Sequence, residues 1–512
     1  MDRILFQLGL VARKLGVTTI QRGAVRHFTT GINPDNSSQR LVETFRQNSK
    51  KKFPEPSIGG NKISLMASVP VLPPPPSVAK FLSKSCTHPS SEIIYYRSRS
   101  VFGTEDLQKE TLKYYQATGI NVENCKPLFT PSEHDLIALL AKHLVKNKQS
   151  AIMTVPTFGL FFNALERNNV KVNLAKLTEE NDWKLTPQIL RSILYAPENT
   201  NAGLFFFINP DNPTGKTYNK QETGALAQEF LEYNQWREQN NKTPLLLLAD
   251  EASRRILLDS KAEFCSIATF SGMEKFTVTV STSSKDLAPG LAISHAIGPK
   301  DLIEGLFNAE DPLHADCGPA YPQQYLLARI LEGTDEIKFR EHLETSIGIY
   351  NRNLSMIENA MRDMNSMLEE KFGKNPDGIR FIEVIRPEGG LQCIIKAVGI
   401  ANLSFPPDYQ FLPPPQPIGN SFALTDYFQK TIGVEVLSGE YCGFDGEEMM
   451  FRMTISKTPE IIQEALKRMK QALEKLTPAK QLVHEDVLPS PALSPSNSVA
   501  VADRASGRES RY

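Results

Sequence analysis

Cysteine is sparse and shows no pairing pattern. The six in 512 residues (Cys86, Cys125, Cys265, Cys317, Cys393 and Cys442) include no C-x-x-C and no metal-ligand spacing. That excludes a disulfide scaffold or a zinc module, leads to no expected metal, and suits free thiols in a reducing compartment. No stretch approaches the ~18 consecutive apolar residues of a membrane helix, so membrane insertion is not expected. Neither sign of charge prevails: 57 Lys and Arg stand against 58 Asp and Glu, for a formal net charge of −1. Such balance gives no reason to invoke nucleic acid. The motifs G-x-G-x-x-G, G-x-x-x-x-G-K-[ST] and G-x-S-x-G are all missing, which argues against dinucleotide enzymes, P-loop enzymes and α/β-hydrolases. There are no internal repeats.

What the chain does have is a set of apolar runs that end in polar residues of particular types. Gly203–Ile208 runs into Asn209-Pro210-Asp211-Asn212-Pro213-Thr214-Gly215, Pro244–Leu248 into Asp250-Glu251-Ala252-Ser253, and Phe276–Ser281 into Ser283-Ser284-Lys285. Short continuous apolar runs bounded by turn signals read as strands buried on both faces, the habit of parallel sheets. Ligands of open α/β sheets collect at the carboxyl ends of the strands. An Asn, an Asp and a Lys are thus delivered to one edge. Each has a plainer reading: Asn212-Pro213-Thr214-Gly215 as an ordinary turn, Asp250 as a helix N-cap, Lys285 as a solvated surface lysine. Those readings do not explain why all three fall at strand ends together.

With these motifs the chain resembles the class I/II aminotransferases, the fold type I enzymes that depend on pyridoxal phosphate. The likeness runs over roughly residues 60 to 475 and rests on NPDNPTG, the strand-end DEA, SSK with Pro289-Gly290 following, and FRMTIS with Arg452. It implies an α/β fold: a mostly parallel, seven-stranded-type large-domain sheet flanked by helices, with a smaller α+β C-terminal domain. It also implies pyridoxal 5'-phosphate as cofactor, amino acid and 2-oxo acid substrates, and a homodimer. In such a site Lys285 is the catalytic amine that forms a Schiff base with the cofactor aldehyde and carries a proton. Asp250 holds the pyridine nitrogen protonated, which keeps the ring an electron sink. Asn212 donates to the phenolic oxygen.

The resemblance assigns further cofactor contacts. Phe158, after the apolar run Ala151–Val155, stacks on the ring. Ser132 and Glu133 open an amphipathic stretch (Leu136, Leu139, Leu140, Leu144) whose helix start is a natural anion seat, although a Ser/Glu capping arrangement competes for both. Ser283 and Ser253 complete the cofactor set. Arg452 grips the substrate's α-carboxylate through a bidentate fork, and Gly389-Gly390, before the strand Leu391–Ala397, faces the substrate.

Departures from the pattern matter as well. Ser253 stands where the family has Tyr, and Ala292 where it has the phosphate-gripping Arg. Losing a charge-assisted hydrogen bond of about 1.5–3 kcal/mol weakens binding roughly ten- to a hundredfold. Arg254 and Arg255 are the nearby cations. Beside the aminotransferase reading stand a lyase or decarboxylase on the same scaffold and a degenerate homologue kept for binding.

The organisation expected is an N-terminal extension (1–59), an arm (60–90), a large domain (91–344), a small domain (345–476) opened by a long helix over Thr345–Phe372, and a disordered Ser/Pro/Ala-rich tail (477–512). From Arg3 to Pro34 there is no acidic residue, while Arg3, Arg13, Lys14, Arg22 and Arg26 punctuate apolar positions. That is the mark of a mitochondrial presequence, so the matrix is the expected location, with the cytoplasm as the alternative. Pro73–Pro76 and Pro406–Pro417 read as stiff extended segments, the second as an insertion.

Overall fold

The computed structural model describes residues 42–43, 46–47, 62–87, 100–307, 318–375, 378–409 and 417–479. The presequence-like segment, most of Pro406–Pro417 and the tail after residue 479 lie outside the described residues.

Seven strands form the main sheet: β1 (Cys125–Thr130), β2 (Ser150–Val155), β3 (Val172–Lys176), β4 (Ala202–Ile208), β5 (Leu246–Asp250), β6 (Thr277–Thr282) and β7 (Ser294–Pro299). Their spatial order is β1-β7-β6-β5-β4-β2-β3. Only β7 runs antiparallel to its neighbours, while β2 to β6 pair in parallel. The unbroken apolar runs follow from this burial. Leu204, Phe206 and Ile208 of β4 enter one core with Leu136, Ile137, Leu140 and Leu144. Phe205 and Phe207 enter another on the opposite face with Leu226, Phe230 and Tyr233. Alternate residues thus fill two separate layers, and no position is left for a polar side chain until the strand ends. Leu139 of the expected apolar face is only half-buried against its core.

Six helices matter for the site and its surroundings. They are α1 (Pro76–Thr87), α2 (Glu105–Ala117), α3 (Glu133–Lys146), α4 (Gly159–Arg167), α5 (Lys220–Gln239) and α6 (Tyr321–Leu331). The long helix α7 covers Glu336–Phe372, nine residues earlier than the periodicity predicts. Its first turns carry few inward apolar groups, with Phe339 the buried one, so the pattern there is faint although the helix continues. Beyond it, β8 (Glu383–Ile385), β9 (Gln392–Lys396), β10 (Leu437–Ser438) and β11 (Met450–Thr454) form an antiparallel sheet in the order β10-β11-β9-β8. Leu354, Ile357, Met361 and Leu368 of α7 pack against Cys393, Ile395, Phe451 and Met453 of that sheet.

The second unit is tied to the rest of the chain at several places. Leu65 N–H donates to Glu435 O and its carbonyl accepts from Thr454 N–H, both at 2.8 Å, which docks the segment before α1 on β11. The turn after β4 meets the turn before β9: Gly215 O accepts from Glu388 N–H (2.9 Å) and Gly389 N–H (2.8 Å). Glu388 Oε2 accepts in turn from Thr217 N–H and its hydroxyl, at 2.8 and 2.7 Å. Gly215 has φ +71°, and a Cβ there falls 2.3 Å from Pro387 Cβ. Only glycine meets both demands without strain.

Candidate active site

Five strand ends converge at the carboxyl edge of the sheet. The ends of β1, β2, β4, β5 and β6 deliver Glu133, Phe158, Asn212, Asp250 and Lys285 respectively. Asp250, 7% exposed, is the last residue of β5 rather than a helix cap, and its Oδ1 accepts from Ala252 N–H at 2.9 Å. Burial pushes its carboxyl up to about 6, against the opposing pull of that hydrogen bond and of the Lys285 ammonium. Lys285 lies three residues beyond β6 and is no surface lysine. Its Nζ donates to Ser68 O at 3.2 Å, and burial lowers its basicity, with Glu133 and Asp250 opposing and Arg452 assisting.

Glu133 begins α3 and faces inward. Burial first, then Asp250, raise its carboxyl well above the ordinary range, while Lys285 pulls it down. Its Oε1 is shielded from solvent with no hydrogen-bond partner among the described residues. Ser132 does something else: it is the N-cap of α3, accepting from Asp135 N–H (3.3 Å) and donating to Asp135 Oδ2 (2.7 Å). The cap therefore uses Ser132 and Asp135, and Glu133 takes no part in it.

Arg452 sits on β11, an inner strand flanked by Ile394 and Leu437, and is 5% exposed. Its Nη1 donates to Asn212 Oδ1 at 2.9 Å and its Nη2 to Met66 O at 2.7 Å, leaving Nε buried without a partner among the described residues. With its oxygen held by Arg452, Asn212 keeps its amide N–H groups for a ligand. The turn bearing Asn212 is built by its neighbour: Asp211 Oδ2 accepts from Thr214 N–H (3.1 Å) and its hydroxyl (2.5 Å). Burial lifts that carboxyl to about 7.

Phe158 caps α4 without a side-chain bond and is half-buried, edge-on to Phe161 (5.1 Å) and to His134 (6.0 Å). Ser253 is half-buried, with its carbonyl accepting from Ile256 N–H. Ser283 lines a cavity of about 490 Å³ together with Tyr114, Arg255, Asp286 and His295, beneath α2 and α6. Both arginines after Asp250 have partners within the chain. Arg254 is held by Glu251 and by the Tyr114 hydroxyl, beneath a buried Tyr115–His295 pair. Arg255 pairs with Asp286 at 3.1 Å. Ala292 itself has φ +47° and ψ +54°, a left-handed backbone ending the turn Pro289–Leu291.

The segment before α1 and one histidine were not foreseen. Met66 and Ser68 supply backbone carbonyls to Arg452 and Lys285; carbonyls leave no trace in residue type. His134, next to Glu133, presents a shielded Nε2 with no partner among the described residues. Its signal, a histidine at the start of a helix leading from a strand end, was available in the sequence.

The residues present suit a pyridoxal phosphate ring: a buried carboxylate, a half-buried amine of lowered basicity beside it and an amide whose oxygen is held by Arg452. The phosphate end fits less well. The α3 N-terminus offers N–H groups and its dipole, yet a carboxylate faces it and no arginine comes from residue 292.

Residues 95–469 match the family described as aminotransferase class I and II. The chain is 30% identical over 155 residues to kynurenine–oxoglutarate transaminase 3 of Bos taurus, 30% of each chain. It is 25% identical over 209 residues to aspartate aminotransferase of Bacillus subtilis, 40% of this chain and 49% of that one. It therefore spans less than half the length of these curated relatives. The structure of aspartate aminotransferase from Rhizobium meliloti superposes with a TM-score of 0.65 at 16% identity, covering 90% of this chain and all of that one, a likeness of fold alone. The family match extends over most of the chain and takes in every strand of the main sheet, and on that evidence the chain belongs to the class I and II aminotransferases.

Proposed function

We propose that this chain is an aminotransferase that moves an amino group between an amino acid and a 2-oxo acid, with Lys285 as its central amine. Pyridoxal 5'-phosphate is the cofactor of the family; when bound, it supplies an electron sink for charge developing at the substrate's α-carbon. The observation that carries the reading is the set delivered by three strand ends: Asp250, buried, with the half-buried Lys285 and Glu133 as its charged neighbours, beside an Arg452 that donates to Asn212.

Each residue has work it can do from where it stands. Lys285, made less basic by burial, can hold the cofactor's aldehyde and shuttle a proton near neutral pH. Asp250 stabilises a protonated ring nitrogen through its charge. Arg452 is preset by Asn212 and Met66, so it offers a substrate carboxylate a fork that loses little side-chain entropy on binding. Asn212 orients both Arg452 and the ring.

Incubating the purified protein with cofactor and a panel of amino acids tests this. Each productive amino acid should convert to its 2-oxo acid, and added 2-oxo acid should reverse the change. Turnover to carbon dioxide or an eliminated product instead favours the lyase or decarboxylase reading. We extend the proposal to a homodimer and to the mitochondrial matrix, supported by the family resemblance and by the acid-free, Arg-bearing segment Arg3–Pro34. Light scattering should give twice the 57.2 kDa chain mass, and import into isolated mitochondria should depend on that segment.

A further inference from the structure

We infer that the cavity beneath α2 and α6 is a second ligand site, one that takes a small apolar amine as its cation. The inference does not rest on the aminotransferase reading, because Lys285, Asp250 and Glu133 are not among the residues that line this cavity.

Part of the lining is polar and buried yet unused. Ser281 of β6 and Ser283 just beyond it are each 7% exposed, and His295 of β7 is 5% exposed. All three line the cavity. Neither serine hydroxyl has a hydrogen-bond partner among the described residues. His295 engages the Tyr115 hydroxyl through Nδ1 at 3.1 Å, which leaves Nε2 without a partner among the described residues. Buried polar groups are ordinarily satisfied. A space of about 490 Å³ is far larger than a single water requires and falls in the range of small-molecule sites.

Charge selects the class of ligand. Two ion pairs within the lining cancel: Lys113 with Glu110 at 2.8 Å, and Arg255 with Asp286 at 3.1 Å. Two further carboxylates, Glu332 and Glu336, line the cavity where α6 gives way to α7, and among the described residues no further cation lines it. Glu332 is shared with Arg329 at 2.8 Å. The Glu336 carboxylate has no partner among the described residues. His295 adds no positive charge, since burial, then Arg254, hold it down to about 3. The lining therefore carries surplus negative charge, which favours an ammonium and disfavours a carboxylate. Hydroxyl oxygens accept from ammonium N–H groups. Leu287, Leu327 and Ile330 supply the apolar part of the lining, which suits a hydrocarbon body.

The probe is 2-phenylethylamine, titrated by calorimetry into the cofactor-free full chain. Saturable one-to-one binding is expected, with a Kd on the order of 0.1–1 mM, weakening as salt is added. The acid of similar size, 3-phenylpropanoate, should bind ~10-fold or more weakly. Ala117 lines the cavity from the exposed end of α2, so Ala117→Trp adds an indole there without disturbing the core and should abolish binding. The double variant Glu332→Gln/Glu336→Gln alters two exposed positions and should weaken binding ~3–10-fold.

The absence of saturable binding, a preference for the acid, or an affinity unchanged in both Ala117→Trp and the double variant overturns the inference. So does binding that survives Ala117→Trp and is lost in Asp250→Asn, which would put the amine beside Lys285. The aminotransferase reading fails separately, when borohydride fixes no cofactor on Lys285.

Discussion

At the scale of single residues, the site stores unfavourable electrostatics. Asp250 is raised to about 6 from an ordinary 3.8, so the folded chain binds more protons than the unfolded chain between those values. Stability contributed at this position therefore falls as pH rises from about 4 to 6 and stays lower above. Asp250→Asn keeps the acceptor for Ala252 N–H and removes the charge. In the cofactor-free protein it should unfold at a higher temperature at pH 8, by roughly 1–3 kcal/mol in stability, and indistinguishably at pH 4. The same variant should lose transamination by ~100-fold or more, since the ring nitrogen loses its counter-charge. Near-normal turnover contradicts the role given to Asp250.

Arg452 and Ala292 make the same case in other terms. Arg452→Lys keeps the charge and gives up the planar fork, so kcat/KM should fall about ten- to a hundredfold, mostly through KM; an unchanged KM for every amino acid tried argues against a carboxylate clamp. Ala292 occupies a left-handed conformation that costs a non-glycine residue roughly 1–2 kcal/mol. Ala292→Gly should therefore raise the unfolding midpoint in denaturant. A lower midpoint would contradict the strain assigned to that turn.

Elements explain how much could be read in advance. The main sheet was legible because its strands are buried on both faces, which erases alternation and leaves bare runs such as Gly203–Ile208 with polar residues only at the ends. Asp250, Asn212 and Lys285 stood out for that reason. The start of α7 did not, because its first turns bury little beyond Phe339. Contacts made by backbone carbonyls, Ser68 O with Lys285 and Met66 O with Arg452, were beyond any reading of residue types. Ser132 and Glu133 looked like one capping unit, yet the cap belongs to Ser132 and Asp135, and only three dimensions show Glu133 turned towards Lys285. The junction of Gly215 with Glu388 and Gly389 is one of the places where the two sheets' units meet. Gly215→Ala meets both a positive φ and Pro387, and should cost about 2–4 kcal/mol in urea unfolding. A variant as stable as the original shows that the turns separate more freely than their hydrogen bonds imply.

On the scale of the whole molecule, the arrangement is one of division of labour. The parallel sheet fixes the carboxylate and the amine. The antiparallel sheet brings Arg452, and the segment before α1 ties the two together through Leu65, Met66 and Ser68. The measurement that tests this account most directly is reduction of the cofactor-treated protein with borohydride, followed by digestion and mass mapping. The account predicts a single pyridoxyl-phosphate adduct on Lys285, absent from Lys285→Ala. An adduct on another lysine, or none at saturating cofactor, would contradict it.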